Sequence, residues 1–370
     1  MAGNSGECKA PPRSRAVKIL VRATNWVGDA VLSIPALQAI RKCQPQAEIQ
    51  ILARPWVADI YRGQPYVDGL IIFENKGRHR GLAGLERLAA ELRRERFDTA
   101  ILLQNAFEAA WIAWRANIPE RIGYARDARG WLLTHAVPLP GPGGSPPHES
   151  NYYLELLRRA GWIESLPDSR NVRLQLETAA LDRAEETLVS AGSLRGRLRI
   201  AFAAGAAYGT AKCWPADRYA QLAGRLIAEF AADVILFGAA SEKEVAARVA
   251  SLEPRVINLA GNTAIGDLPA FLARCGLFIG NDSGAMHLAA AVGLPVVAVF
   301  GPTDPGGTAP LAPLVTVVQR RVACSPCFLR HCPIDHRCMT GVSVTEVLDA
   351  ARPALHAYAA QRAERKSNGV

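Results

Sequence analysis

Three small-residue segments of this chain each follow a short β-rich apolar run and precede a helical pattern. Each carries a side chain suited to handling protons or phosphate. The first is Asn25-Trp26-Val27-Gly28-Asp29, after Lys18–Val21. Gly28 permits a tight turn, and Asp29 falls at the helix start on the carboxyl edge of the expected sheet. A carboxylate there either caps orphan backbone N–H groups or acts as a general base towards a bound hydroxyl. The second is Gly280-Asn281-Asp282-Ser283-Gly284-Ala285-Met286-His287. Its small residues admit a ligand to the backbone, first-turn N–H groups attract phosphate, and Asp282 can accept hydrogen bonds from ribose hydroxyls. His287 reads equally as a packed core histidine. The third is Ala204-Gly205-Ala206-Ala207-Tyr208-Gly209-Thr210-Ala211-Lys212, followed by Trp214-Pro215. Lys212 is there either a counter-ion for a leaving phosphate or a solvated surface lysine. Gly301-Pro302-Thr303-Asp304-Pro305 ends a further strand on the same edge. Several such loops in one half of the chain strengthen the ligand reading of each.

Four of the eight cysteines, Cys324, Cys327, Cys332 and Cys338, crowd into fifteen residues, with His331 and His336 among them. The spacing resembles a short structural zinc site with an unusually short central gap. Metal ligation and a set of free or disulfide-capable thiols both stay open, and either role is structural. Without a secretory signal, a disulfide framework is disfavoured for most of the cysteines, including the scattered Cys8, Cys43, Cys213 and Cys275. Other signatures are missing. No G-x-G-x-x-G follows a strand, and no Walker loop, G-x-S-x-G elbow, H-E-x-x-H or metal-holding D-x-D is found.

The elements that must position these residues follow from periodicity. In the first half, strands are expected at Lys18–Val21, Glu48–Leu52, Gly69–Phe73 and Thr99–Leu103, with helices at Ala30–Lys42, Leu82–Arg96 and Ala109–Ala116. Leu82, Leu85, Leu88, Ala89 and Leu92 follow helical spacing, with Arg and Glu on the other face. The second half restarts the alternation, with strands at Leu198–Ala203, Asp233–Gly238, Arg255–Leu259, Gly276–Gly280 and Pro295–Phe300. Its helices are expected at Ala216–Phe230, Ser241–Ser251, Asp267–Arg274 and Gly284–Val292. Pro138–Pro147 reads as a loop, helical patterns resume at Tyr152–Ala160 and Ala179–Ala191, and Val344–Arg365 reads as a helix broken at Pro353. This is βαβ grammar: an α/β protein of two doubly wound Rossmann-like domains, with ligands at the carboxyl ends of strands. The expected divisions are an N-terminal arm at 1–15, a first domain at 16–193, a second at 194–345, and a helix and tail at 346–370.

Composition supports this reading. With 370 residues, 49% hydrophobic and 21% charged, the chain can bury two or three cores, which excludes disordered and fibrous classes. No run reaches the roughly 20 apolar residues of a bilayer span, and the polar N-terminus lacks a signal-peptide core, so a soluble cytoplasmic protein is expected. The net charge of +9 suits nucleic acid, an anionic membrane face or a phosphorylated substrate. Aromatic residues are only 7% and no RNA or DNA module is recognisable, which disfavours nucleic acid.

Taken in order, NWVGDAVLSIPAL, RIGY at 121–124, KCWP at 212–215, GNDSGAMHLAAAVGLPVVAVFGPTDP at 280–305 and the cysteine segment resemble the ADP-heptose:lipopolysaccharide heptosyltransferases of glycosyltransferase family nine. The likeness spans roughly Val17 to Leu348. It implies a GT-B fold, two Rossmann-like domains facing an interdomain cleft, with the acceptor on the first and the nucleotide sugar on the second. It also implies an inverting, metal-independent and cofactor-free transfer of heptose from ADP-L-glycero-D-manno-heptose to the inner core. NWVGD and the cysteine segment lean towards the subgroup that adds the second heptose. Addition of the first heptose to Kdo-lipid A, or use of another donor sugar, are the alternatives.

The resemblance also assigns residues. Asp29 matches the catalytic base, and Lys212 the lysine on the donor phosphates. Asp282, Ser283, Gly284, Ala285 and His287 match the nucleotide-sugar signature, Glu242 the acid on the adenosine ribose, and Thr263 the neighbourhood of adenine. Where relatives often carry hydroxyl residues just before the lysine, this chain has Ala207-Tyr208 ahead of Gly209-Thr210. By analogy with basic loops of the family's acceptor domain, Lys76, Arg78, Arg80 and Arg121 are the candidates to meet the acidic acceptor. The same patch would hold the enzyme peripherally on the cytoplasmic face of the inner membrane.

Overall fold

A computed structural model describes Cys8 and residues 17–141, 148–170 and 172–367. The expected arm at 1–15, Cys8 apart, and most of the proline-rich loop lie outside the described residues. The chain forms two units, Met1–Gln175 and Leu176–Val370.

In the first unit the strands are β1 (Lys18–Arg22), β2 (Glu48–Ala53), β3 (Gly69–Ile72), β4 (Thr99–Leu102), β5 (Glu120–Tyr124) and β6 (His135–Val137). They form one sheet, β3-β2-β1-β4-β5-β6, with every pairing parallel. The helices are α1 (Val27–Leu32), α2 (Ile34–Cys43), α3 (Pro55–Ala58), α4 (Gly81–Glu95), α5 (Phe107–Arg115) and α6 (Glu149–Arg159). Leu88 and Leu92 of α4 meet Ala110, Ile112 and Ala113 of α5 in a core that also takes Leu20, Leu52 and Leu102 from the sheet. The helix expected at Ala30–Lys42 is two helices. Pro35 opens α2, and the Ser33 hydroxyl donates to the Ala30 carbonyl at 2.8 Å, which closes α1.

The second unit repeats the plan. Its strands are β7 (Arg199–Ala203), β8 (Asp233–Leu236), β9 (Ile257–Asn258), β10 (Leu277–Asn281), β11 (Val296–Phe300) and β12 (Val315–Gln319), ordered β12-β11-β10-β7-β8-β9 and all parallel. The helices are α7 (Thr178–Ser190), α8 (Ala216–Phe230), α9 (Lys243–Leu252), α10 (Leu268–Ala273), α11 (Gly284–Ala291), α12 (Pro305–Thr308), α13 (Arg337–Thr340) and α14 (Val344–Ser367). Within each unit the order is that of a Rossmann fold, reversing between β1 and β4 and again between β7 and β10, where such sheets hold their ligands. Helix α14 continues through Pro353 instead of breaking there. Leu348, Ala351 and Leu355 are buried in the same core as Trp214 and Phe202, and that packing outweighs the hydrogen bond a proline forfeits.

Two further expectations change. The boundary between units falls before α7, not at 193/194. Helix α7 is bound to the second unit through Glu185, whose carboxylate takes 2.5 and 2.9 Å hydrogen bonds from the buried Arg199 of β7. Cys8 and Cys43 form a disulfide with Cα atoms 5.2 Å apart, against the general expectation of free thiols. The disulfide ties Cys8 to the last residue of α2, and an isolated bridge pairs Cys8 with Ile163, just beyond α6.

Arg199 is enclosed and donates to Ser193 as well, so its loss leaves Glu185 without its principal partner. Arg199→Met should cost about 3–5 kcal/mol in urea denaturation. The Arg199 hydrogen bonds hold the Glu185 carboxyl below its ordinary value of 4.5. The bridge is therefore fully stabilising above the unfolded value and fades as pH falls through the lower folded one. Wild type should lose more stability than Arg199→Met on acidification through that window. Equal losses in both proteins would refute the assignment.

Candidate functional site

At the carboxyl edge of the second sheet, Asn281 ends β10 with no exposed surface. Its Oδ1 accepts from the Trp214 backbone N–H at 3.0 Å and from the Tyr219 hydroxyl at 2.9 Å. Its Nδ2 donates to the carbonyls of Ala204 at 2.8 Å and Gly205 at 3.2 Å. One amide thereby joins the ends of β10 and β7 to the segment that carries Lys212. Trp214 is fully buried and donates its indole N–H to the Val342 carbonyl, which anchors that segment in the core.

Lys212 is not a solvated surface lysine. Its ammonium lies 2.5 Å from Asp282 Oδ2, with both side chains nearly buried, and 4.8 Å from the centre of the Tyr208 ring. The Thr303 hydroxyl donates to the same carboxylate oxygen at 2.7 Å, which brings the GPTDP loop into the cluster. Ser283 is the N-cap of α11, but its side chain makes no capping bond, and its buried Oγ has no hydrogen-bond partner. Gly284 and Ala285 are half-buried in the first turn, and His287 is buried on the same helix.

Glu242 sits on the loop after β8. It accepts the Ala239 N–H at 2.7 Å, and burial raises its carboxyl above the usual range. A Cβ at Gly205 would come within 2.4 Å of the Glu242 carboxyl carbon, so only glycine lets this acid lie across the β7 loop. Thr263 is half-buried in the turn after β9, two residues beyond Gly261, whose N–H donates to the Gly238 carbonyl at 2.7 Å. The structure thus gathers Lys212, Asp282 and Ser283 closely, with Glu242 on the adjoining loop. Thr263 makes no direct contact with them.

The cysteine-rich segment supports the same loop. Tyr208 donates its hydroxyl to the Phe328 carbonyl at 2.8 Å, Thr210 Oγ1 lies 3.0 Å from His331 Nδ1, and His336 Nε2 lies 2.7 Å from the Ala211 carbonyl. Gly209 has φ +154°, and a Cβ there would collide with the Arg330 carbonyl. The hydroxyls that replace the usual ones before the lysine are therefore engaged by residues 328–331. Cys324 and Cys327 are exposed and Cys332 half-exposed, while Cys338 is buried and its thiol is pushed up by burial and by the other three. Among the described residues, no three His, Cys, Asp or Glu side chains are placed to share a metal ion. None of the four is in a disulfide.

In the first unit, Asp29 is half-buried at the third position of α1, as the acidic residue of its first turn, and the N-cap is Trp26. The loop before it is pinned from beneath by Arg22, fully buried at the end of β1. Arg22 donates to the Ala23 carbonyl at 2.6 Å and to Asn25 Oδ1 at 2.9 Å, and burial lowers it to about 9. Arg54 follows β2, pairs with Glu108 at 3.0 Å and stacks on Phe73 at 3.8 Å. Beyond β4 and β5, the buried Arg129 donates to Tyr124 O and to Asn105 Oδ1, both at 3.0 Å. Asn105 in turn donates to the Tyr152 hydroxyl at 2.9 Å. Arg22, Arg54 and Arg129 were missed as site residues. Arg22 and Arg54 end or follow strands that finish on apolar residues, where an arginine is out of place, and that is the signal the sequence offers; Arg129 follows β5, whose mixed composition carries none.

The basic candidates divide. Lys76, Arg78 and Arg80 are all exposed, and Arg78 pairs with Glu91 at 2.6 Å. Arg121 does not join them. It stands near the start of β5, and its guanidinium donates to the carbonyls of Leu132 at 2.7 Å and Ile118 at 2.5 Å, so it fastens backbone at the opposite end of the strand from the Asp29 edge.

Two tandem Rossmann-like units, the second with a nearly buried lysine–aspartate pair at its switch point, match the GT-B fold of solved glycosyltransferases. The family profile "Glycosyltransferase family 9 (heptosyltransferase)" matches residues 85–337, and the chain belongs to that family. It is 33% identical over 309 residues to lipopolysaccharide heptosyltransferase 2 of Salmonella typhimurium, covering 82% of this chain and 88% of that one. The Escherichia coli protein of the same name is 31% identical over the same shares. The solved structure of E. coli ADP-heptose lipopolysaccharide heptosyltransferase II superposes with a TM-score of 0.78 at 28% identity, over 92% of this chain and 99% of that one. A family 9 glycosyltransferase from Veillonella parvula gives 0.79 at 25% identity, over 92% and 97%.

Asn281→Ala would strip partners from four buried groups. It should cost about 3 kcal/mol of stability in urea denaturation, whereas Asp304→Ala, which caps only α12, should cost about 1 kcal/mol. A neutral Asn281→Ala would show that the amide does not organise this edge.

Proposed function

We propose that this glycosyltransferase moves L-glycero-D-manno-heptose from ADP-heptose to the inner core of lipopolysaccharide, adding the second heptose with inversion and without a metal. The observation that carries this reading is the Lys212–Asp282–Thr303 cluster beside an uncapped helix start, in a chain similar to heptosyltransferase 2 over four-fifths of its length.

In this reading the second unit takes the donor. Glu242 accepts from the ribose hydroxyls, Thr263 borders adenine, and the N–H groups of Ser283, Gly284 and Ala285 receive the phosphates. His287 supports that turn from within the core. Asp282 holds the Lys212 ammonium in one orientation and leaves its remaining protons for the diphosphate. The first unit takes the acceptor, with Asp29 as base. The acceptor oxygen attacks the anomeric carbon from the face opposite ADP, the bond from that carbon to the diphosphate breaks, and ADP leaves with its electron pair. Asp29 receives the hydroxyl proton. An aspartate is a weak base with an ordinary value near ~4, so it suits a transfer late on the path, once the attacking oxygen has become acidic. Lys212 and the first-turn N–H groups stabilise the charge growing on ADP.

Lys76, Arg78 and Arg80 face the phosphates and acidic sugars of the acceptor. No described helix is long and apolar enough to cross a membrane. We place the enzyme peripherally on the cytoplasmic face of the inner membrane, where its lipid-linked acceptor would lie.

Asp29→Asn keeps the shape and removes the base. It should lower transfer by about 10²–10⁴-fold with ADP affinity by calorimetry within a few fold of wild type. Retained turnover would remove Asp29 from the mechanism. EDTA should leave the rate unchanged, and a strict divalent requirement would contradict the metal-free reading.

A further inference from the structure

Three aromatic side chains on the outside of the first unit are left uncovered: Phe107, Trp114 and Trp131 are 41, 40 and 70% exposed. They form one strip. Trp131, in the short turn Gly130–Leu132, has its ring centre 6.4 Å from that of Phe107 and 6.3 Å from that of Trp114, the first and eighth residues of α5. Arg115 lies over Trp114 at 5.7 Å and bridges to Glu86 of α4. Leu82, one helical turn before Glu86 on that same face, is 78% exposed. Monomeric proteins seldom leave large rings clustered in water, and a tryptophan with one apolar and one polar end suits a bilayer interface.

Charge selects among occupants. Leaving out the buried Arg129 and Arg121, whose guanidinium serves backbone carbonyls, residues 76–131 hold nine Lys and Arg against seven Asp and Glu. The acids nearest the strip are already paired, Glu86 with Arg115 and Glu108 with Arg54. A second copy would bring the same positive excess against itself, whereas an anionic lipid surface is attracted to it.

We propose that the outer face of α4 and α5, with Phe107, Trp114, Trp131 and Leu82 as its apolar contacts, rests on an anionic phospholipid bilayer. This deepens the reading of a peripheral enzyme with a lipid-linked acceptor by naming the surface. The rings enter the headgroup boundary while the neighbouring arginines meet lipid phosphates.

Flotation of the full chain with vesicles of phosphatidylglycerol and phosphatidylethanolamine, or of phosphatidylcholine alone, tests this without any turnover. We expect salt-sensitive binding to the anionic vesicles only. Combining Phe107→Ser, Trp114→Ser and Trp131→Ser should weaken it by about tenfold or more, with thermal midpoint and ADP affinity unchanged. Quenching of tryptophan fluorescence by brominated lipid, reduced in Trp131→Phe, provides a readout that does not depend on the triple variant. Absence of binding by wild type, or equal flotation of the triple variant, would overturn the proposal. So would a triple variant that loses turnover on a delipidated acceptor, which assigns the rings to saccharide, or one that alters only sedimentation, which assigns them to self-association. Because flotation reads binding alone, failure of the proposed transfer reaction would leave its outcome standing.

Discussion

A buried side-chain amide with every hydrogen-bonding position filled has one low-energy orientation, and Asn281 meets that condition. Its four partners come from β7's end, from the start of α8 and from the Lys212 segment, so none of these can shift alone. Asp282 is the next residue, and its distance from Lys212 is therefore set by the same amide. The geometry that the proposed chemistry needs, an ammonium held beside a helix start, descends from this one polar contact inside an otherwise apolar core.

The two units share a strand order and use it differently. The second lines its edge with small residues, so that backbone and one enclosed ion pair are available to a ligand. The first buries arginines at the same edge. Arg22 and Arg129 hold loops by donating to carbonyls and side-chain amides, Arg54 pairs with the Glu108 carboxylate, and burial lowers Arg22 and Arg129 to about 9 and about 10. Asp29 stands on a loop fixed from below by one of them.

Much of this was legible from residue order. The strands ending near Val21, Ala203 and Phe300 are largely continuous apolar runs, as covered parallel strands are. β5 and β12 were not read as strands. Glu120–Tyr124 mixes Glu, Arg and Gly, and Val315–Gln319 lies on a sheet edge, so neither shows the buried pattern. Asn281 was visible within its motif, but nothing local says that an asparagine at a strand end will satisfy groups some 62 to 77 positions away in sequence. Arg121 misled because a basic residue in a matching motif says nothing about which end of its strand faces the ligand. Helix α14 and the position of α7 depend on tertiary packing, which periodicity along one segment does not report.

In the proposed reaction these loops serve heptose transfer onto a core that already bears one heptose. The most direct test is ADP release from ADP-L-glycero-D-manno-heptose with two acceptors offered separately, one heptose-free and one carrying a single heptose. Turnover is expected on the one-heptose core, with none above background on the other. Turnover on the heptose-free core alone, or on neither while ADP still binds, would contradict it.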